Sequence, residues 1–300
     1  MTRVLVTGAT GFIGRHASEI LAAGAHEVHA VVAREPDDPI ARVTYHRVNL
    51  LDPETTRAAV RSIAATHLLH FAWYAVPKRF WTSLENYRWV GATMDLAAAF
   101  AEAGGTRIVA AGSCAEYDWR FGCCREEVTP IAPSTPYGVT KSAACRLLMS
   151  YGEQTGVSVA WGRIFFVYGP RERPERLVSS VIQSLLAGRR AECGDGRPVR
   201  DFLHVRDVAS AFAALVDADV RGAVNVSSSR PIAVRDVVEE IGRQLGASDR
   251  IAFGALPPRD EPPLLVGDNH RLRTETGWTP TFDIGSGIED TIRWWRGGSE

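Results

Sequence analysis

The 300 residues are 45% hydrophobic and 23% charged, an ordinary globular balance with length for one large domain or a main domain and a smaller lobe. With 34 Lys plus Arg against 35 Asp plus Glu, the formal charge is −1, and no basic field favours nucleic acid or an anionic membrane. No apolar run nears the ~18 residues of a membrane span. Five cysteines describe no disulfide framework, and the first apolar stretch runs straight into a glycine motif rather than an export signal, so the cytoplasm is the expected location.

The first half alternates short β-branched runs with helical periodicity, which predicts stacked βαβ units around a parallel sheet. The expected strand Arg3–Thr7 leads into Thr7-Gly8-Ala9-Thr10-Gly11-Phe12-Ile13-Gly14. Phe12–Ala23 follows as a helix, with Ile13, Ala17, Ile20 and Leu21 at helical spacing and Gly24 as its stop. Between strand and helix, Gly8 permits a tight turn, Gly11 lets backbone approach a pyrophosphate, and Gly14 lets helix close on strand. The helix start offers free N–H groups to phosphate oxygens, and Thr10, Phe12 and Ile13 complete this candidate cofactor loop.

Glu27–Val32 is the next expected strand. An NAD site usually has Asp or Glu at its end, to bind the ribose hydroxyls. Here Val32 and Ala33 precede Arg34, whose guanidinium suits a 2′-phosphate, so NADP(H) is expected in preference to NAD(H). Strands are expected at Val43–Arg47 and His67–Phe71, with Asp52-Pro53 opening a helix between them and a long helix at Ser83–Ala103. His70, in an apolar strand, reads as structural.

The strand Arg107–Ala111 ends in Gly112-Ser113, placing a hydroxyl donor at its carboxyl end. Thr135-Pro136 then caps a helix bearing Tyr137 and Lys141, four residues apart and on one face. A nearby ammonium favours phenolate, so Lys141 is expected to lower the Tyr137 pKa for proton exchange with an alcohol or carbonyl. Ser113, Tyr137 and Lys141 are therefore the candidate catalytic residues. A strand is expected at Val157–Phe165.

Beyond residue 166, Pro, Arg and Gly rise. Short strands are expected at Pro198–Leu203, Ala223–Ser227 and Arg250–Phe253, and helices at Glu175–Ala187, Val205–Val216, Val234–Leu245 and Ile284–Arg296. The expected architecture is α/β: a Rossmann-type doubly wound parallel sheet over 1–165, taking in about 199–220, and a smaller α/β lobe over 166–300. Ligands of such open sheets bind at the carboxyl edge. Cys123-Cys124 has no further Cys or His at ligand spacing, so a loop and no metal site are expected.

With these motifs, and with Tyr168-Gly169-Pro170, Arg200–Val208 and Gly277-Trp278-Thr279-Pro280, the chain resembles the extended short-chain dehydrogenases of the NAD-dependent epimerase/dehydratase family, along nearly its whole length. The resemblance implies an enzyme acting on nucleoside-diphosphate sugars, commonly a homodimer. Arg200 and Arg259 would bind the pyrophosphate of the substrate, and Asn49 and Leu50 would lie at the adenine. Phe71 and Ala72 would flank the cofactor, and Cys114, Ala115 and Phe166 would line the sugar site beside Ser113 and Tyr137. Phe71-Ala72-Trp73-Tyr74 and Cys114–Trp119 suggest an aromatic wall there.

Departures from the family pattern sort the reaction. Its 4,6-dehydratases place Asp-Glu after the serine or threonine, where this chain has Cys114-Ala115, so elimination is not expected. The cysteine acid/base of the GDP-keto-sugar epimerase-reductases would fall at Ala115. The expectation is an NADPH-dependent reductase of a dTDP-linked 4-keto-6-deoxyhexose. The alternatives are a nucleotide-sugar 4-epimerase with tightly held NAD and, from another class, a non-catalytic NADP(H) sensor.

Overall fold

The computed structural model describes residues 2–77, 79–257 and 260–297. β1 (Thr2–Thr7) passes through the glycine loop into α1 (Phe12–Ala23), and the alternation continues with β2 (His26–Val32), β3 (Val43–Arg47), α2 (Pro53–Ile63), β4 (His67–His70), α3 (Glu85–Glu102) and β5 (Arg107–Ser113). After a 3-10 turn at Cys114–Glu116 come β6 (Cys123–Cys124), α4 (Pro136–Thr155), β7 (Ser158–Ile164), β8 (Phe166–Tyr168), α5 (Leu177–Leu186), β9 (Ala191–Glu192), β10 (Val199–His204), α6 (Val205–Asp217) and β11 (Gly222–Val226). The described chain continues with β12 (Pro231–Ala233), α7 (Val234–Leu245), β13 (Ile251–Ala252), β14 (Leu264–Gly267), α8 (His270–Thr276) and α9 (Ile284–Trp295).

Among the described residues seven strands form a parallel sheet in the order β11-β7-β5-β4-β1-β2-β3. Period-2 alternation divides each strand between the two faces. In β1, Val4 and Val6 pack with Ala17, Leu21, Val208 and Phe212 of α1 and α6, while Leu5 packs with Val60, Leu96, Phe100 and Leu148 of α2, α3 and α4. The chain order reverses between β1 and β4. The glycine loop and the segment after β4 therefore meet at the switch point, where the carboxyl ends of the strands leave a crevice.

The smaller sheet is built around β10, which pairs in parallel with β8 and β14 and antiparallel with β12, while β14 pairs with β6. Helices α5, α7 and α9 close over a core of Val178, Ile182, Val237, Ile241, Ile288 and Ile292.

Three expectations of the sequence differ from this. The run Val157–Phe165 was too simple: after Ile164 the chain leaves the large sheet, and Phe166–Tyr168 pairs with β10 instead. The strand expected at Ala223–Ser227, grouped with the scattered strands of the second half, is the outermost strand of the large sheet. It pairs with β7 after α6 has buried its apolar stripe on that sheet. Cys123-Cys124, expected as a loop, pairs with β14. Two-residue strands carry no periodic signal. Among the described residues no helix is long and apolar enough to cross a membrane, and no His, Cys, Asp and Glu cluster could hold a metal ion.

Candidate active site

At the switch point Gly8 has φ +69°, and a Cβ there would lie 2.8 Å from the Ala72 nitrogen. A Cβ on Gly14 would lie 2.2 Å from the Gly8 carbonyl oxygen. Side chains at either place would fill the cradle. Phe71 N donates to the Thr7 carbonyl at 3.1 Å and Ala72 N to the Thr7 hydroxyl at 3.3 Å, which brings the expected pair Phe71 and Ala72 against the loop. The buried His70 braces the same point, with Nδ1 2.7 Å from Thr7 Oγ1 and Nε2 3.0 Å from Thr93 Oγ1. Burial, with the charge of Lys141, pushes its pKa down to about 3, so it stays a neutral strut. Helix α1 starts at Gly11 with no side-chain cap, and Thr10 and Gly11 are exposed, with Phe12 and Ile13 half-buried behind them. An uncapped helix start over a side-chain-free loop fits a pyrophosphate.

At the end of β2, Val32 is buried while Ala33 and Arg34 are exposed. One residue here escaped the sequence reading. Arg15, just past the loop, donates to the Asp38 carbonyl at 2.7 Å and its carboxylate at 2.6 Å, and Arg171 reaches that carboxylate at 3.3 Å. Nothing in the sequence pairs these positions, because the contacts depend on how the loop after β2 returns. Asn49 turns its Oδ1 to the Leu51 N–H at 3.2 Å, closing the turn into α2, and Leu50 is buried in the core on the α2–α3 face.

Ser113 ends β5, and the chain turns there because Ser113 and Glu116 form a reciprocal capping box. Thr135 caps α4 by accepting from Gly138 N at 3.2 Å, and Pro136 opens the first turn. The Tyr137 N–H, unpaired within the helix, donates to the Trp81 carbonyl at 3.1 Å. A Cβ on Gly138 would lie 2.2 Å from the Ala115 carbonyl oxygen. This close approach of α4 to the serine turn sets Tyr137 near Ser113, whose hydroxyl pulls the phenol's pKa down against the effect of burial. Lys141, one turn on and 4% exposed, donates to the Ala111 carbonyl at 2.8 Å, with Nζ 3.8 Å from the centre of the Trp73 ring.

The electrostatics differ from the expectation that Lys141 lowers the Tyr137 pKa. Burial pushes the phenol above its ordinary value, with Ser113 opposing and Cys114 and Glu116 adding to the rise. Burial also lowers Lys141 to about 7, with Glu116 holding it up. Desolvation is the largest cause of both shifts, because the packing that encloses the two groups removes their water.

Trp73 lies under Lys141, and the rings around Tyr137 are others: Phe80 at 4.9 Å and Trp81 at 5.6 Å between centroids, with Trp119 6.2 Å beyond Trp81. Asn86 holds this loop, accepting from Trp73 Nε1 at 2.9 Å and donating to the Phe80 and Ser83 carbonyls. Cys114 and Ala115 are buried, and burial pushes the Cys114 thiol well up, so it stays protonated. Phe166 packs against the cluster of Cys114, Tyr117, Cys124, Phe165 and Leu265. Arg200 is 3% exposed and already engaged: it donates to the Val199 and Pro262 carbonyls and to Glu261 at 2.8 Å, over the Phe166 ring. Arg259 lies outside the described residues.

The model of the NAD dependent epimerase/dehydratase family matches residues 4–227. A UDP-glucose 4-epimerase of Azospirillum brasilense is 29% identical over 98% of this chain and 92% of its own length. A GDP-6-deoxy-D-mannose reductase of Pseudomonas aeruginosa is 28% identical over 98% and 97%. Among solved structures, the UDP-glucose 4-epimerase of Thermus thermophilus in complex with NAD superposes with a TM-score of 0.86 at 28% identity, covering 99% of this chain and all of that one.

Proposed function

Because the chain belongs to the NAD dependent epimerase/dehydratase family, we propose that it is an NADPH-dependent reductase of a nucleotide-linked 4-keto-6-deoxy sugar, a dTDP-4-keto-6-deoxyhexose 4-ketoreductase of deoxysugar biosynthesis. The observation that carries this reading is the meeting of Ser113 and Tyr137, with buried Lys141 one turn on, at the crevice beside the glycine cradle, where residues 114 and 115 bear no carboxylate. Gly8, Gly11 and Gly14 with Lys141 would hold a nicotinamide cofactor, which would supply the hydride for the ketone carbon. Tyr137, whose proton burial retains at neutral pH, gives it from Oη to the ketone oxygen. The Ser113 hydroxyl donates to that oxygen and stabilises its developing charge. Lys141 would hold the ribose of the nicotinamide. Phe80, Trp81 and Trp119 offer apolar faces suited to a deoxy sugar, and Arg200, with Arg259, remains our candidate for the substrate pyrophosphate.

NADPH preference rests on the exposed Ala33-Arg34 after a strand end without a carboxylate. Replacing Arg34 with Ala should weaken NADPH binding ~10-fold and leave NADH unchanged; titration by protein fluorescence reads both, and a tighter Kd for NADH in the parent overturns the preference. The relatives include both epimerase and reductase, so the second reading is a nucleotide-sugar 4-epimerase. One experiment separates them: NADPH absorbance is followed with dTDP-4-keto-6-deoxyglucose while the sugar is analysed. Stoichiometric oxidation with a new deoxy sugar establishes the reductase, isomerisation without net oxidation the epimerase, and no change refutes the keto-sugar or the nucleotide. We also propose a homodimer through α3 and α4, where Leu84 at the start of α3, Tyr87, Val139 and Leu147 are exposed apolar residues.

A further inference from the structure

Beneath the serine turn lies a charge that the mechanism above does not use. Glu116 is fully buried, and each of its oxygens is engaged. Oε1 accepts from the Ser113 backbone N–H at 2.8 Å and from Trp161 Nε1 at 2.8 Å, and Oε2 accepts from Arg163 Nε at 2.9 Å. Arg163 is buried too. Burial disfavours its charge, but Glu116 and Tyr117 hold the guanidinium firmly protonated. Its Nη1 donates to the Tyr117 hydroxyl at 3.0 Å, which donates to Asn225 Oδ1 at 2.8 Å. Asn225 Nδ2 in turn donates to the Cys124 and Asp268 carbonyls, at the edge of the smaller sheet.

A buried ion pair of this kind is costly for stability alone, since apolar residues of similar volume serve a core as well or better. A capping-box glutamate at a surface turn, for its part, needs no arginine. Here the pair ends on the backbone of Ser113 itself, and the Trp161 that clamps Glu116 has its ring centre 5.7 Å from Lys141 Nζ.

We propose that Glu116 is a positioning residue of the active site: its carboxylate, clamped by Trp161 and Arg163, fixes the turn that presents Ser113 to Tyr137 and sets a negative charge toward Lys141. It touches neither sugar nor cofactor. It works through the serine turn and through the field at the lysine. The groups around Lys141 are His70 from β4, the Ala111 carbonyl from β5, the rings of Trp73 and Trp161, Tyr137 on its own helix, and Glu116. With His70 neutral and Tyr137 protonated, Glu116 is the anion of this set.

This inference rests on the catalytic assignment of Ser113, Tyr137 and Lys141, and its test is chosen to be separable from the choice of substrate. The sequence contains two lysines, Lys78 and Lys141, so 13C-lysine labelling gives two side-chain signals, which Lys141→Arg assigns. In the parent, the Lys141 signal should titrate with a midpoint of about 7, which burial and Glu116 set together. In Glu116→Gln the midpoint should fall by about one pH unit, because the opposing charge is gone. Glu116→Gln leaves the Arg163 charge buried without its carboxylate, which alone destabilises the fold, so Glu116→Gln/Arg163→Met removes both charges and restores a neutral core. Its midpoint should fall as well, though by less because the Arg163 charge goes with the carboxylate, with NADPH affinity near the parent. With a turned-over keto sugar, both variants should lose roughly 10–100-fold in kcat at near-parent KM, the signature of a displaced catalytic group. A Lys141 midpoint unchanged in the folded double variant, with kcat at the parent level, reduces Glu116 to a turn brace and overturns the proposal. Should the midpoint move while the parent reduces no keto sugar, the positioning role stands and the reductase reading falls.

Discussion

Tyr137 and Lys141 show how one packing arrangement changes two titrations at once. Burial raises the phenol and lowers the ammonium to about 7. The raised phenol stays protonated at neutral pH, as the proposed proton donor must, so Tyr137→Phe should cost ~10²–10⁴ in kcat while fluorescence titration finds NADPH affinity within about threefold of the parent; turnover near the parent level would remove Tyr137 from the chemistry. The lowered lysine has a sign that stability can read. An unfolded chain keeps the Lys141 proton up to about 10.5 and the folded one only to about 7, so the unfolded state binds more protons between those values. Stability carries the full cost of the buried charge below pH 7 and regains it as pH rises toward 10.5. Lys141→Met should therefore gain stability over the parent by roughly 2–3 kcal/mol more at pH 6 than at pH 9. Urea unfolding at the two pH values measures the difference, and equal gains at both would show that the folded lysine titrates normally.

The elements that carry these side chains were legible where a local rule produced them. The cap at Thr135, the proline at the first turn and the 3.6-residue spacing place Tyr137 and Lys141 on one face, and α4 begins where those residues put it. What meets that face is a matter of approach. Gly138 lets the helix press on the Ala115 carbonyl, and an added Cβ would stand 2.2 Å from that oxygen. Gly138→Ala should destabilise the protein by ~1–3 kcal/mol through overpacking and lower kcat more than KM, because α4 must move off the turn that presents Ser113. Unfolding and steady-state kinetics on the same preparation read both, and unchanged kcat would show that the turn moves with the helix. The ring cluster was legible only in part. Trp119 stood in the block after Ser113, but Phe80 and Trp81 reach Tyr137 through a loop held by Asn86, and no sequence spacing links them.

At the scale of the molecule, α2, α3 and α4 cover one face of the large sheet, and Leu84, Tyr87, Val139 and Leu147 remain exposed, apolar surface that a second copy would cover. Sedimentation should find the parent dimeric and Leu84→Asp/Leu147→Asp shifted toward monomer, while a monomeric parent would refute the homodimer. The crevice is set at the same scale. It lies where the chain order reverses between β1 and β4, and the smaller sheet reaches it because the chain leaves the large sheet after Ile164, returns through α6 to β11, and departs again.

The sequence by itself determined what nearest neighbours along the chain decide: the βαβ alternation, the glycine loop, the capped helix with its Tyr–Lys face, and the serine at a strand end. Each follows from backbone sterics, capping or side-chain period, which act over a few residues. Tertiary structure alone decided the rest. The Arg15–Asp38 contact, the engagement of Arg200 with Glu261, the rings around Tyr137 and the Glu116–Arg163 pair join residues from 23 to 61 positions apart in their most distant cases or bring separate loops together. So did the protonation states, because desolvation depends on everything packed around a group, and a local pattern carries no record of it.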